Sequence, residues 1–529
     1  MKANIIRYAL VASTVLTLTS CNNWLKEESP GTNTLDDYFT SGQTAIQVVN
    51  AAYTPLAWEY NRTYYSEWYI GDIASDDALK GGQDLADGQD AYDIDNFKVN
   101  INNAILLDYY RAKYQGIGRC NLALQEVPKV ALDDVLTEDR RNCLLGEAHF
   151  MRAFYYFQLV RVFGGVPLVD FVISDSENWQ QPRATAEKVY DFIIDELLTA
   201  EKLLWDKSKF PAEDLGRATR GAAQAMLCKV YLYKKDYANA YTWGKKFVEE
   251  QYGKEYALHA LYADNFLIAN ENGIESVFEI QRMAEPTSDY GEGNGFTRGS
   301  FTTILTRPRM SCLGGDKGWG FDHPTKDLWN EFEPGDSRRE AAIGVPDEES
   351  QKEVEVMYLN SPYYNNKICY SENGAFPPLD HASRSPFNYP LIRVSDVLLL
   401  YAEAALESGH QPDAKWALEQ VRSRARKNAD PSVTNPLPEF PGYLGYTNDD
   451  ASLRKAIRHE RRVELAMEGH RWYDLVRWGI AADVMNAYRD KEDDVVRAEM
   501  SAFQAGKHEL FPIPAEELAL NPMEQNPGY

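Results

Sequence analysis

The sequence predicts a mainly α protein: an α-solenoid base of tetratricopeptide-like helical pairs carrying an inserted, loop-rich lobe. Three observations carry this prediction. Apolar residues recur at helical spacing through most of 41–251 and again after 393. Two helical hairpins, 221–250 and 396–425, share an alternation of small and large side chains that lets paired helices approach closely. Between them, over 255–390, the helical period breaks into a stretch rich in Gly, Pro, Asn and aromatic residues. That stretch is too long for an ordinary connection, and irregular lobes of this kind are where recognition resides.

The elements follow in chain order. Lys2 and Arg7 form a short positive region before an apolar run over 8–18, and these eleven residues cover about 16 Å as a helix, half a bilayer core. The run therefore reads as a secretory signal, 1–20. Leu18-Thr19-Ser20-Cys21 resembles a bacterial lipobox, which makes Cys21 the lipidated first residue of the mature chain. Several acyl chains on one residue give a stable anchor. The polar segment that follows reads as a tether (21–40), and its thirteen residues 22–34 reach at most about 45 Å.

Helices are predicted over 45–57, 104–127, 140–162, 186–204, 221–234 and 237–250, within a helical region 41–254 that an irregular excursion, 59–103, interrupts. In the first hairpin Leu227 and Tyr231 sit one turn apart beside Cys228, and Tyr237, Ala240 and Phe247 mark the returning helix. In the second, Tyr401, Ala402 and Ala405 lead to Ala414, Leu418 and Val421. Each alone fits a generic helical hairpin equally well; two copies separated by further pairs favour a solenoid. The insertion takes 255–392, and the last pair with a long helix takes 393–480. That final helix is expected to run unbroken from about Asp449 to Trp478, with Glu460, Glu464 and Glu468 as salt-bridging groups. The remainder, 481–529, with its proline-rich end, is expected to wrap the surface in extended form.

Composition narrows the function. With 80 Asp and Glu against 55 Lys and Arg the net charge is −25, and removal of Lys2 and Arg7 takes it to −27. A nucleic-acid binder needs a basic face, and an anionic lipid surface needs a polybasic patch, so both are disfavoured. The five cysteines beyond Cys21 are widely spaced without CxxC, so zinc ribbons and dithiol chemistry lack support, and Cys120, Cys143 and Cys228 read as small buried side chains. HExxH, GxSxG, Walker A and GxGxxG are all absent. The aromatic surplus is the positive signal: 33 Tyr, 11 Trp and 21 Phe must fill a core or line a binding surface.

Seven stretches, in order, carry a family likeness: the lipobox, GEAHFMRAFYYFQLVRVFGGVPLV (146–169), GRATRGAAQAMLCKVYLY (216–233), GWGFDHPTKDLWNEFEPGDSRR (318–339), YPLIRVSDVLLLYAEA (389–404), ERRVELAMEGHRWYDLVRWG (460–479) and the terminal LFPIPAEELALNPMEQNPGY. Together they resemble the SusD/RagB family across essentially the whole chain. The resemblance implies a surface-exposed outer-membrane lipoprotein of Bacteroidetes-type bacteria, with four tetratricopeptide-like pairs beneath a ligand lobe. It would cap a SusC-like TonB-dependent transporter and capture glycans for import, with peptides the alternative cargo.

Sugars present apolar C–H faces ringed by hydroxyls, so a site needs flat aromatic platforms beside hydrogen-bonding groups. The densest cluster is 58–69, with Trp58, Tyr60, Tyr64, Tyr65, Trp68 and Tyr69 next to Asp72, Asp76 and Asp77. From it Trp68 is expected as the first platform, with Asp72 and Asp77 as hydroxyl acceptors. The insertion adds Tyr290, Arg309 and Trp319, then Tyr363, Tyr364, Arg384 and Asn388. The acid run Asp84, Asp87, Asp90, Asp93 and Asp95 misses the EF-hand spacing and reads as a solvated loop; no cofactor is expected, and calcium is the one metal left open. The rival classes are a surface glycoside hydrolase, whose carboxylate pair sequence alone does not locate, and a repeat scaffold that binds only protein. The expectation is a non-enzymatic glycan binder.

Overall fold

The computed structural model describes residues 38–59, 67–173, 179–284, 299–309, 318–346, 361–368 and 384–529. The base is built from α1 (Gly42–Tyr53), α2 (Ala104–Glu126), α3 (Glu138–Phe163), α4 (Ala186–Leu203), α5 (Arg220–Tyr233), α6 (Tyr237–Glu250), α7 (Val394–Glu407) and α8 (Gln411–Lys427). From α2 to α8 each helix packs on the next, which is the succession a solenoid of helical pairs requires. The starts are set locally. Asn103, Thr137, Thr185, Thr219 and Asp236 each accept a backbone N–H of the first helical turn. Close packing follows the small residues: a side chain at Gly116 of α2 would meet the Tyr155 ring of α3 at 2.4 Å. Cys120, Cys143 and Cys228 are buried free thiols inside these helices.

Three small antiparallel ladders organise what lies on the base. β1 (Ala78–Gly81) pairs with β3 (Phe321–Pro324), β2 (Ser276–Ile280) with β6 (Tyr389–Arg393), and β4 (Ile343–Gly344) with β5 (Tyr364–Asn365). The second pair brings the two ends of the insertion together. The first stitches the excursion after α1 to the middle of the insertion, in the register Ala78 to Pro324 and Gly81 to Phe321.

The expected long helix is two helices, α9 (Asp450–Glu464) and α10 (Arg471–Arg477). The break lies at Met467 and Gly469, both at positive φ. It is enforced from outside: Asp72 accepts the Gly469 N–H at 2.9 and 3.0 Å, and a side chain at Gly71 would lie 2.2 Å from the Gly469 carbonyl. Such contacts between two backbones admit only glycine. The C-terminal region also departs from the extended expectation. It forms helices Ala481–Lys491, Asp494–Glu499 and Ala515–Leu520, the last with Pro514 at the cap, where it interrupts no helical hydrogen bond.

The glutamates around α9 hold the lobe to the base as a buried ion lattice. Glu464 accepts from Arg338 (3.0 Å), Arg393 (3.2 Å) and Arg424 (2.6 Å). Glu460 joins Arg338 (2.5 Å) to Arg422 (3.1 Å), and Glu468 takes Arg393 (2.7 Å) and Lys367 (2.5 Å). The salt-bridging role read from the sequence holds, and it operates in the interior.

Candidate ligand-binding site

A cleft of about 250 Å³ opens where the excursion meets the insertion. Tyr69, Ile105, Leu305, Trp319 and Phe321 supply its apolar walls, and Asp87, Gly88, Gln89 and Asp90 its polar rim. Trp319 is half-buried, with its ring edge-on to Phe301 at 5.2 Å and 88°. Its backbone is fixed by the N–H bond to the Ile304 carbonyl, and that of Gly320 by bonds to the Arg307 carbonyl and from the Gly82 N–H. The short helix Thr302–Thr306 is in turn anchored by Glu59, which accepts the N–H groups of Phe301 and Thr302.

The rim is a closed loop. Lys80 donates to the carbonyls of Asp84 (2.9 Å) and Asp87 (2.5 Å), and the Asp87 carboxylate accepts the Gln83 N–H (2.8 Å). Gly82 and Gly88 take positive φ under the Phe321 ring, where a side chain at Gly88 would come to 3.0 Å. Arg309 closes the rim on Asp87 at 2.6 Å, with both side chains partly exposed. Behind the loop, Asp95 accepts the Lys80 N–H (2.8 Å), and burial pushes its carboxyl up to about 7. The acid run is thus spent largely on its own backbone and on Lys80 and Arg309. Among the described residues no group of three or more His, Cys, Asp or Glu is placed to hold a metal ion.

A second cavity, about 280 Å³, lies between the end of α1, the loop before α5 and β2. Its cation, Arg217, is committed to Glu147 (2.9 Å) and Asp214, and Tyr53 is its single ring. The first cleft therefore offers more of what a sugar needs: several rings with a donor and acceptor rim.

With this geometry, the likeness to known proteins becomes decisive. The SusD family profile matches residues 240–529, and a profile described as starch-binding associating with outer membrane matches 23–232. The chain belongs to the SusD family. SusD-like protein P2 of Formosa agariphila is 27% identical over 97% of this chain and 98% of its own length. The starch-binding protein SusD of Bacteroides thetaiotaomicron is 22% identical over 72% of each chain. Among solved structures, a laminarin-binding SusD-like protein superposes with a TM-score of 0.77 at 28% identity, covering 93% of this chain and all of that one. Surface glycan-binding protein A of Bacteroides thetaiotaomicron, in complex with laminarihexaose, gives 0.75 at 23% identity over 92% of this chain and 100% of that chain, a likeness of fold.

In this SusD-family chain the predicted site residues divide. Arg309 and Trp319 come together at the cleft. Trp68 does not reach it: fully buried at 0% exposure, it stacks on Tyr69 at 3.7 Å and packs 6.3 Å from Phe321, supporting two cleft rings from behind. Asp72 and Asp77, at 0% and 1% exposure, are equally internal. Asp72 is spent on Gly469, and burial together with nearby Asp322 raises its carboxyl well above the ordinary range. Asp77 pairs with Arg462 at 2.8 Å; burial raises it to about 6, against the pull of Arg462. Tyr364 is buried in β5 against Gly344, and Asn388 is buried, donating to Glu279 at 3.1 Å. Arg384 is half-buried beside Ser385, whose carbonyl accepts the Ser300 N–H at 2.7 Å. Tyr363 is half-buried and stacks on Trp329, apart from the cleft lining. Tyr290 and Cys21 lie outside the described residues. Phe321 was not among the expected site residues, and Tyr69 was named only within the 58–69 cluster.

Proposed function

We propose that this protein is a surface glycan-binding lipoprotein that captures a neutral oligo- or polysaccharide at the Trp319 cleft. In this reading it is tethered through lipidated Cys21, performs no catalysis, needs no cofactor, and delivers its cargo to a SusC-like TonB-dependent transporter in the outer membrane. The observation that carries the reading is the half-buried Trp319 indole beside the hydrogen-bonding rim of Asp87, Gln89, Asp90 and Arg309. At the rim Arg309 and Asp87 neutralise one another, which suits hydroxyl-rich uncharged sugars. Relatives named for laminarin and starch support the same ligand class. One or two aromatic platforms, each contributing about 1–2 kcal/mol, together with several hydrogen bonds give Kd values of roughly mM to μM after ordering costs.

The test is affinity electrophoresis and calorimetry with laminarin and starch. The unaltered protein should bind one of these, and Trp319→Ala, assayed well below its unfolding temperature, should weaken binding at least about tenfold. Undiminished affinity in the variant removes the site. New reducing ends on incubation would show catalysis. Release of a Cys21→Ala variant from membranes, and co-purification of the intact lipoprotein with a large outer-membrane barrel, test the anchor and the delivery step.

A further inference from the structure

Outside the cleft stands a second arrangement of flat groups. Trp329, on the short helix Lys326–Glu331 that follows β3, and Tyr363, just before β5, stack with centroids 4.8 Å apart and planes within 5°. The Arg339 guanidinium lies 4.4 Å from the Trp329 ring centroid and is itself held by Glu340 at 2.9 and 2.6 Å. All three side chains are half-buried, whereas Tyr364, the next residue along the chain, is buried. Tyr363 precedes β5 and stays half-covered, while both residues of β5, Tyr364 and Asn365, are buried. The β4–β5 ladder is fixed to the cleft strand, because Asn365 donates to Asp322 at 2.9 Å.

We propose that the Trp329–Tyr363–Arg339 stack is a second sugar platform, and that the ligand is a glycan chain long enough to reach it from the Trp319 cleft. This inference rests on the glycan-binding reading above. The stack is already ordered: Trp329 is held by Tyr363 and by Arg339, so little rotamer entropy remains to be lost on binding. Glu340 balances the Arg339 charge locally, so the platform, like the cleft, suits a neutral ligand. The two platforms stand at opposite ends of one strand. Trp319 precedes β3 and Trp329 follows it, and ten residues of chain set an upper limit of about 35 Å on their separation. β3 itself spans about 13 Å of that distance. A polymer touching both makes two weak contacts in series, and the second forms at the effective concentration set by the first. A short oligosaccharide reaches only one.

The experiment compares short and long ligands on the mature protein. Calorimetry uses di- and trisaccharides, the hexaose and the parent polymer of laminarin and of starch, with unaltered protein, Tyr363→Ala and Tyr363→Phe. Tyr363→Ala should lose about tenfold in affinity for the polymer and nothing for the shortest binding oligosaccharide, while Tyr363→Phe, which keeps the ring, should match the unaltered protein. Hydroxyl-radical footprinting of the unaltered protein gives an independent reading should Tyr363→Ala fold poorly: polymer, and not disaccharide, should shield Trp329 and Tyr363. Equal polymer affinity in all three proteins, an equal loss at every chain length, or no shielding overturns the second platform and leaves the Trp319 cleft standing. An unaltered protein that binds no glycan overturns the functional reading and this inference with it.

Discussion

Replacing Glu464 by Gln tests whether the ion lattice, rather than apolar contact alone, holds the ligand lobe to the helical base. The carboxylate is fully buried and accepts from Arg338 of the insertion, Arg393 at the end of β6 and Arg424 of α8. Burial by itself would raise its pKa, but Arg424, Arg393 and Arg338 outweigh burial and hold it well below the ordinary carboxylate range. The amide keeps the shape and removes the charge, leaving one buried positive charge uncompensated. Breaking a buried pair in this way costs about 3–5 kcal/mol, a large share of the roughly 5–15 kcal/mol that holds a folded domain together. The sign with pH follows from the depressed pKa: the carboxylate's contribution is complete above the unfolded value and fades as pH falls toward the folded one. Between pH 7 and pH 3 the gap between the two proteins should therefore narrow by about 2 kcal/mol, at 1.36 kcal/mol per unit below a free value of about 4.3. Urea unfolding followed by tryptophan fluorescence at the two pH values measures this. A loss under about 1 kcal/mol at pH 7, or a gap that ignores pH, refutes the role given to the lattice.

Two further outcomes are expected. Burial would lower the His459 pKa, but Glu331 at 2.7 Å and Glu333 at 3.2 Å raise it to about 9; its stabilisation is full below the unfolded value near 6.5, fades as pH rises through 9, and amounts to at most about 3 kcal/mol. His459→Asn should flatten that alkaline slope in thermal melts, and a slope unchanged by the substitution counts against it. Gly71→Ala would place a methyl 2.2 Å from the Gly469 carbonyl, so stability should fall by about 1–3 kcal/mol or more, read as a lower urea midpoint; a neutral result would mean the two backbones separate freely.

The helical base was legible because its signals are local. Threonine, asparagine and aspartate caps, a 3.6-residue period and small residues at helix crossings are all written within a few positions of where they act, and α5 with α6 and α7 with α8 fall close to the predicted hairpins. The site was legible only in part, because burial is decided by partners distant in sequence. Trp68 and Trp319 look alike in composition: each is an aromatic beside glycine and acid. Trp68 is internal because Tyr69 and Phe321 close over it, and Phe321 lies more than 250 residues away. Asp72 and Asp77 read as solvent-facing acids until Gly469 and Arg462 arrive to occupy them. The break between α9 and α10 was hidden for the same reason: its cause, the Gly71–Gly469 contact, is non-local. Trp319, between two glycines just before β3, is left half-buried at the cleft.

The buried charges answer a problem that the insertion itself creates. A lobe with little regular structure leaves backbone N–H and C=O groups without ladder partners, and each such group costs free energy if buried unpaired. Side chains take the place of the ladder here. Glu59 accepts the N–H groups of Phe301 and Thr302, Asn388 accepts that of Arg282 at 2.6 Å, Glu279 that of Asn272 at 3.1 Å, and Arg393 donates to the Glu464 carbonyl at 3.1 Å. Carboxylates and guanidinium groups suit this work because each binds several backbone groups and one another at once. Their geometry is then fixed by charge as well as by packing, so the short segments bearing Trp319 and Tyr363 are held in place without belonging to any large sheet. The same reasoning explains why the aromatic surplus divides as it does. Trp68, covered by Tyr69 and Phe321, and Tyr364, against Gly344, are buried, while Trp319 and Tyr363, on segments pinned by the short ladders, are left half-covered. Half-covered rings on a rigid support are what a weak, reversible sugar contact requires.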